Sequence, residues 1–197
     1  MEIEYDWCSK RIIRATYGLL QKGNIEIISI DNIANEAGTS SRTIYRKFKN
    51  KKDLIESTIN YYLKIFIKKL EDIFSFNGDE KIGDYLNTTF MQLLNLPDED
   101  FGIVKIAIGE VNYISEKKCI ISRITDVAIN KLEEYFKIQQ EKGNIRNINV
   151  KPLSVICFSL IFQLVILSRV QHTFTDLEVA KYSEQILDII YNGIKLE

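Results

Sequence analysis

Apolar residues along this chain recur mostly at three- and four-residue spacings, the period of a helix with one buried face. Over residues 6–22, Ile12, Ala15 and Leu19 form one stripe with Ile13, Tyr17 and Leu20 beside it, and Gly23-Asn24 ends the segment. A short helix is expected from Ser29, a good N-cap, to Ala37, with Ile30, Ile33, Ala34 and Ala37 in register. Gly38 stands where a chain leaves a helix with positive φ, a conformation glycine adopts without a Cβ clash. Thr39, Ser40 and Ser41 then offer hydroxyls to cap a second short helix, in which Ile44 and Phe48 turn inward. Two short helices joined by a tight Gly-containing turn make a helix-turn-helix, and the small Ala34 and Ala37 let its helices cross closely.

Asn50 and Asp53 open the next helix with a pattern close to a capping box. It is expected to run to about Phe74 through Leu54, Ile55, Ile59, Tyr62, Leu63, Phe66 and Leu70. Beyond a turn at Asn77-Gly78-Asp79, helices are predicted at 80–94, 99–111, 115–142, 151–172 and 176–194, about nine in all. Isoleucine is abundant, but no two-residue alternation persists, so the class is all-α. The segment from Pro152 is apolar nearly all round, so it must be covered on more than one side, and a second subunit is the expected cover for one of them.

Charge changes this picture. The chain of 197 residues carries a net charge of −1, yet residues 1–52 hold ten Lys/Arg against six Asp/Glu, and the remainder sixteen against twenty-one. The excess of base is concentrated further: residues 39–52 contain Arg42, Arg46, Lys47, Lys49, Lys51 and Lys52 and no acid. A basic run can be a merely solvated face, but this one coincides with the second helix of a helix-turn-helix, the element that enters a DNA major groove. The free N–H groups at the start of the next helix suit a phosphate, with Lys51 beside them. Lys10, Arg11 and Arg14 of the first helix are placed either on a phosphate or in solvent. The chain therefore divides into a three-helix DNA-binding head, residues 1–52, and a helical body, residues 53–197.

The string AGTSSRTIYRKFKNKKDLI resembles the DNA-binding signature of the TetR family of bacterial regulators: a Gly-containing turn, a Thr–apolar–Tyr recognition helix, then Phe, a Lys-rich corner and Asp-Leu. The resemblance covers residues 10–56; the body matches in length and helical layout. It implies a homodimer paired through its last two long helices, a palindromic operator in double-stranded DNA, and a small apolar or amphipathic effector bound by the body. It further implies a repressor, with Ser41, Arg42, Thr43 and Lys47 facing base edges and Tyr45, Arg46, Lys49 and Lys51 mainly on phosphates. Ser29 joins the DNA-binding set. Arg42 departs from the small or flexible residue common at its place. Segment 103–150, with IGEVNYISE and a long helix ending in EKGNI, loosely resembles the AefR-like subgroup. Two other classes compete: a TetR-like coactivator acting through protein contacts, and a small-molecule-binding helical protein that does not bind DNA.

Candidate effector contacts are the aromatics Tyr62, Phe66, Phe90, Phe101, Tyr113, Phe158 and Phe162, together with Glu110 in an otherwise apolar segment; core packing and an ordinary ion pair are the alternatives. His172 is the only histidine, and no Ser/His/Asp arrangement, HExxH, Walker A or GxGxxG pattern is present. An enzyme is disfavoured, and no cofactor or metal is expected. Cys8, Cys119 and Cys157 form no CxxC pair, which suits a reducing cytoplasm. The acidic, amphipathic N-terminus lacks the charged-then-apolar pattern expected of a signal peptide, and the uncharged run Pro152 to Ser168 is short of a membrane span.

Overall fold

The computed structural model describes residues 5–22, 28–108 and 117–194. They form nine helices: α1 (Trp7–Gln21), α2 (Ile30–Glu36), α3 (Ser41–Lys47), α4 (Lys51–Ile73), α5 (Ile82–Leu94), α6 (Asp98–Ile108), α7 (Lys117–Glu141), α8 (Val150–Arg169) and α9 (Asp176–Ile194). There is no strand among the described residues, so the all-α expectation holds. Packing separates the chain into two compact units. The first is Met1–Phe66 with Glu99–Ile121, the second Ile67–Asp98 with Ser122–Glu197, and α4 supplies residues to both.

In the first unit, α1 packs on α2 and α2 on α3. The buried side chains are those of the predicted stripes: Ile12, Ile13 and Leu20 from α1, Ile33 and Ala34 from α2, Ile44 from α3, and Leu54, Ile59 and Leu63 from α4. Tyr17 stacks on Tyr62 with ring centroids 3.5 Å apart and donates to the Glu99 carbonyl at 3.1 Å. Gly102 of α6 lies so close to α1 that a Cβ there would fall 1.5 Å from Gln21 Nε2 and 2.7 Å from the Tyr17 hydroxyl. No residue with a side chain fits at that contact without moving both.

In the second unit α5, α8 and α9 pack against one another. The turn predicted at Asn77-Gly78-Asp79 is strapped to the end of α7. The Gly78 carbonyl accepts from Gln139 Nε2 at 2.9 Å and Lys142 Nζ at 2.8 Å, and the Tyr135 hydroxyl donates to the Glu80 carbonyl at 3.0 Å. Thr175 and Glu178 form a reciprocal cap at the start of α9, each side chain accepting from the other's N–H. Arg169 joins the end of α8 to the α5–α6 corner, donating to the Leu94 carbonyl and to Asp98 Oδ1, both at 2.7 Å. The helix stops there, short of the expected residue 172. The Gln171 and Thr173 N–H groups reach back five and six residues, to Ile166 and Leu167, and His172 turns to φ 51°. At 20 residues α8 has the length and apolarity of a membrane span, more than its uncharged core suggested, and half of it is buried within the unit. Its uncovered side is one stripe, Val155, Ile156, Ser159, Leu160 and Gln163.

Two expectations follow. Replacing Gly38, at φ +57°, by Ala should destabilise the protein by about 1–2 kcal/mol, whereas Gly18→Ala, in open space within α1, should stabilise it by up to about 1 kcal/mol; urea unfolding of both variants reads the opposite signs. Cys157 is fully buried, which pushes its thiol up to about 12. In native protein near neutral pH it should resist iodoacetamide, as followed by mass mapping, and react once the chain is unfolded in urea.

Candidate nucleic-acid interface

α3 is only seven residues long, so its position is set by what holds it. On its N-terminal side, α2 ends in a Schellman turn: the Thr39 N–H donates to the Ala34 carbonyl at 2.9 Å and the Gly38 N–H to Asn35 at 3.1 Å. Ser40 caps α3, accepting from the Thr43 N–H at 3.2 Å, and its hydroxyl also lies 3.0 Å from that of Thr43. The Ser41 hydroxyl donates to Asp31 Oδ1 at 2.6 Å, tying the first turn of α3 to that of α2. Arg11 of α1 donates to the Gly38 carbonyl at 3.1 Å, and its guanidinium lies over the Trp7 ring. Arg11 is therefore a brace of the turn. Ile44 and Phe48 turn inward as expected and are buried.

At the other end of α3, Lys47 forms an ion pair with Asp6, the residue that caps α1. Asp6 Oδ1 accepts from the Ser9 N–H at 2.8 Å while Oδ2 takes the lysine. Lys47 first, and the Ser9 N–H second, hold the Asp6 carboxyl well below the usual carboxylate range. The corner into α4 is capped as its pattern suggests. The Asp53 N–H donates to Asn50 Oδ1 at 2.9 Å, and Asp53 Oδ2 accepts from the Lys49 N–H at 2.8 Å, one residue earlier than in a capping box.

The predicted DNA set is thereby sorted by environment. Arg42, Tyr45, Arg46 and Lys49 face solvent, Tyr45 with 56% of its surface exposed. Lys51 is half-buried at the first position of α4. Ser29 caps α2 through the Asn32 N–H at 3.0 Å. Ser41 and Thr43 are half-buried with their hydroxyls engaged inside the head. Sequence reading missed Asp6, and it named Arg11 without its contact to Gly38. Asp6 carries a cap signal just before a helix, but its contact lies 41 residues away, and that of Arg11 lies 27 away.

The effector set is divided between the two units. Tyr62 is half-buried and Phe66 and Phe101 buried in the first unit; in the second, Phe90 and Phe158 are buried and Phe162 is half-buried, stacked on Phe158 at 5.2 Å. Glu110 and Tyr113 lie outside the described residues. Tyr62 is pushed up to about 12, by burial first and then by the nearby Glu99 charge. Two open cavities of the second unit, about 160 Å³ beside Asp72, Glu80 and Asp84 and about 340 Å³ beside His172 and Phe174, take none of these aromatics as lining.

A helix-turn-helix whose second helix buries apolar residues and presents bases to solvent defines a DNA-binding regulator. Residues 12–58 match the profile described as bacterial regulatory proteins, tetR family. The chain is 28% identical over 158 residues to the uncharacterised HTH-type transcriptional regulator YvkB of Bacillus subtilis (strain 168), covering 78% of this chain and 79% of that one. Its fold is similar to that of a Mesorhizobium loti protein assigned to the TetR-family transcriptional regulators, with TM-score 0.76 and 12% identity over 96% and 97% of the two chains. It is similar also to the transcriptional regulator FadR of Bacillus subtilis in complex with stearoyl-CoA, with TM-score 0.68 and 21% identity over 94% and 98%. Over residues 12–58 the chain thus carries the DNA-binding domain of the tetR family of bacterial regulatory proteins, and its fold over nearly the whole length is that of such regulators.

Because Ser40 and Asn50 each satisfy an otherwise orphaned N–H at the two ends of the basic segment, Ser40→Ala and Asn50→Ala should each cost about 1 kcal/mol in urea unfolding. Asn50→Asp, which keeps the acceptor, should be nearly neutral.

Proposed function

We propose that this protein is a homodimeric repressor that grips a palindromic operator with residues 1–52 and is released when an apolar or amphipathic molecule binds residues 53–197. One observation carries the DNA-binding part: α3 and its flanks leave Arg42, Tyr45, Arg46 and Lys49 in solvent, with Lys47 exposed but paired to Asp6, while Ile44 and Phe48 are buried. Arg42 then reads a base edge, and Arg46, Lys49, Lys51, Tyr45 and Ser29 hold phosphates; Lys47, expected at a base edge, is drawn back toward Asp6 at the end of α3 and is assigned to a phosphate instead. Ser41 and Thr43, whose hydroxyls are engaged within the head, meet bases through a remaining lone pair or the threonine methyl. The acidic remainder of the chain repels the duplex, so the head alone approaches it.

Dimerisation is supported by the uncovered apolar stripe of α8 and by Tyr182 and Ile189 exposed on α9. Ile189, 71% exposed, is the residue to charge, rather than its half-buried neighbour Ile190. Effector control is supported by α4, which opens at the basic corner and supplies residues to both units, and by the similarity in fold to a regulator crystallised with an acyl-CoA. The bound molecule needs only a preference between two states: a hundredfold difference gives about 2.7 kcal/mol of coupling. A cytoplasmic location accords with the three dispersed cysteines.

A mobility-shift assay on the DNA upstream of the protein's own gene tests the reading: a specific shift that fades steeply with salt is expected, and no shift would favour a coactivator or a ligand-binding protein. In that assay Lys51→Ala should weaken every sequence and lower the log–log salt slope by about one. Arg42→Ala should relax preference at one base pair and cost about 1–3 kcal/mol. Ile189→Glu should yield monomers by sedimentation and lose the shift with the head intact; a folded wild-type monomer at micromolar concentration would contradict the dimer.

A further inference from the structure

The ion pair between Asp6 and Lys47 sets a carboxylate inside the face that the preceding section assigns to DNA. Its position is built, not incidental. Oδ1 is fixed by the Ser9 N–H as the N-cap of α1, which leaves Oδ2 directed at Lys47. The neighbouring Tyr5 ring packs at 6.3 Å from Phe48, the residue that ends α3, and at 6.0 Å from Tyr61 of α4. The segment leading into α1 is thus pinned alongside the end of the recognition helix. Lys47 lies between Arg46 and Lys49, both in solvent, and is itself partly exposed, its side chain 28% against 54% for Asp6. Residues 1–9 contain Glu2, Glu4 and Asp6 and no Lys or Arg.

We propose that Asp6 is a built-in competitor for DNA: it occupies Lys47 in the free protein and yields it to a phosphate on binding. This rests on the DNA-binding reading above. Asp6 and a phosphate oxygen offer Lys47 the same chemistry, an anionic oxygen acceptor, so one lysine cannot serve both fully. A partly exposed pair is weak, equivalent to a factor of about two to five. A phosphate, which also releases condensed counterions, displaces it. The consequence is a grip on DNA held below what the basic face alone would give. The freed carboxylate, left among phosphates, opposes binding as well.

The test uses the full-length protein and fluorescence anisotropy at low salt with two labelled duplexes of equal length, one from upstream of its own gene and one unrelated. Asp6→Asn removes the charge and keeps a good N-cap; Asp6→Ser, a second neutral cap, guards against an effect peculiar to asparagine. Both should tighten binding to both duplexes about two- to fivefold, with the thermal midpoint checked for each. Lys47→Ala should weaken binding more in the Asp6→Asn background than in the wild type, because there the lysine has no carboxylate to give up. Neutral caps that leave affinity unchanged or weaker at an unaltered thermal midpoint, or a Lys47→Ala effect equal in the two backgrounds, would overturn the proposal and make the pair a surface brace. If the wild type binds neither duplex, the DNA-binding reading fails and this inference with it.

Discussion

A seven-residue helix has no stability of its own in water, because the cost of nucleating its first turn is not recovered over so few hydrogen bonds. α3 is such a helix, and it carries the basic side chains proposed to meet DNA. Its surroundings supply what it lacks. Ile44 and Phe48 anchor it in the core, Ser40 caps it, the Ser41–Asp31 hydrogen bond joins it to α2, and Arg11 fastens the turn before it at Gly38. Every one of these contacts leaves the Arg42, Tyr45 and Arg46 side free.

That arrangement separates two kinds of work along one short segment. Apolar residues and hydroxyls position it, and Arg42 and Arg46 between them are left in solvent. The same division extends to the start of α4, where the side chains of Asn50 and Asp53 satisfy N–H groups of the corner. The first unit continues beyond residue 52 through the Tyr17–Tyr62 stack and the tight approach of Gly102, which sets α6 against the side chains of α1.

What the sequence made legible was what is local. Gly38 before a run of hydroxyls predicted the end of α2, and Asn50 with Asp53 predicted the start of α4, because caps are decided within a few residues. The solvent-facing side of α3 was legible for the same reason, since seven residues of helix leave little choice about which side is apolar. The braces were not. Arg11 looked like a phosphate ligand or a solvated base until its reach to Gly38 was seen, and nothing near Asp6 announced Lys47. The end of α8 fell early because His172 adopts a positive φ, which no periodicity shows. Aromatic spacing also could not tell Phe90, fully buried in the second unit, from Tyr62, stacked on another ring in the first.

The central claim is that DNA meets α3 and the corner into α4, and leaves the acidic body in solvent. Hydrogen exchange of the full-length protein, with and without a duplex from upstream of its gene, tests it most directly. Slowed exchange should concentrate in residues 39–53, including the Asp53 N–H at the corner, with little protection over α5 and α7. Unchanged exchange over residues 39–53 in a saturated complex, or protection centred on the second unit, would contradict the account.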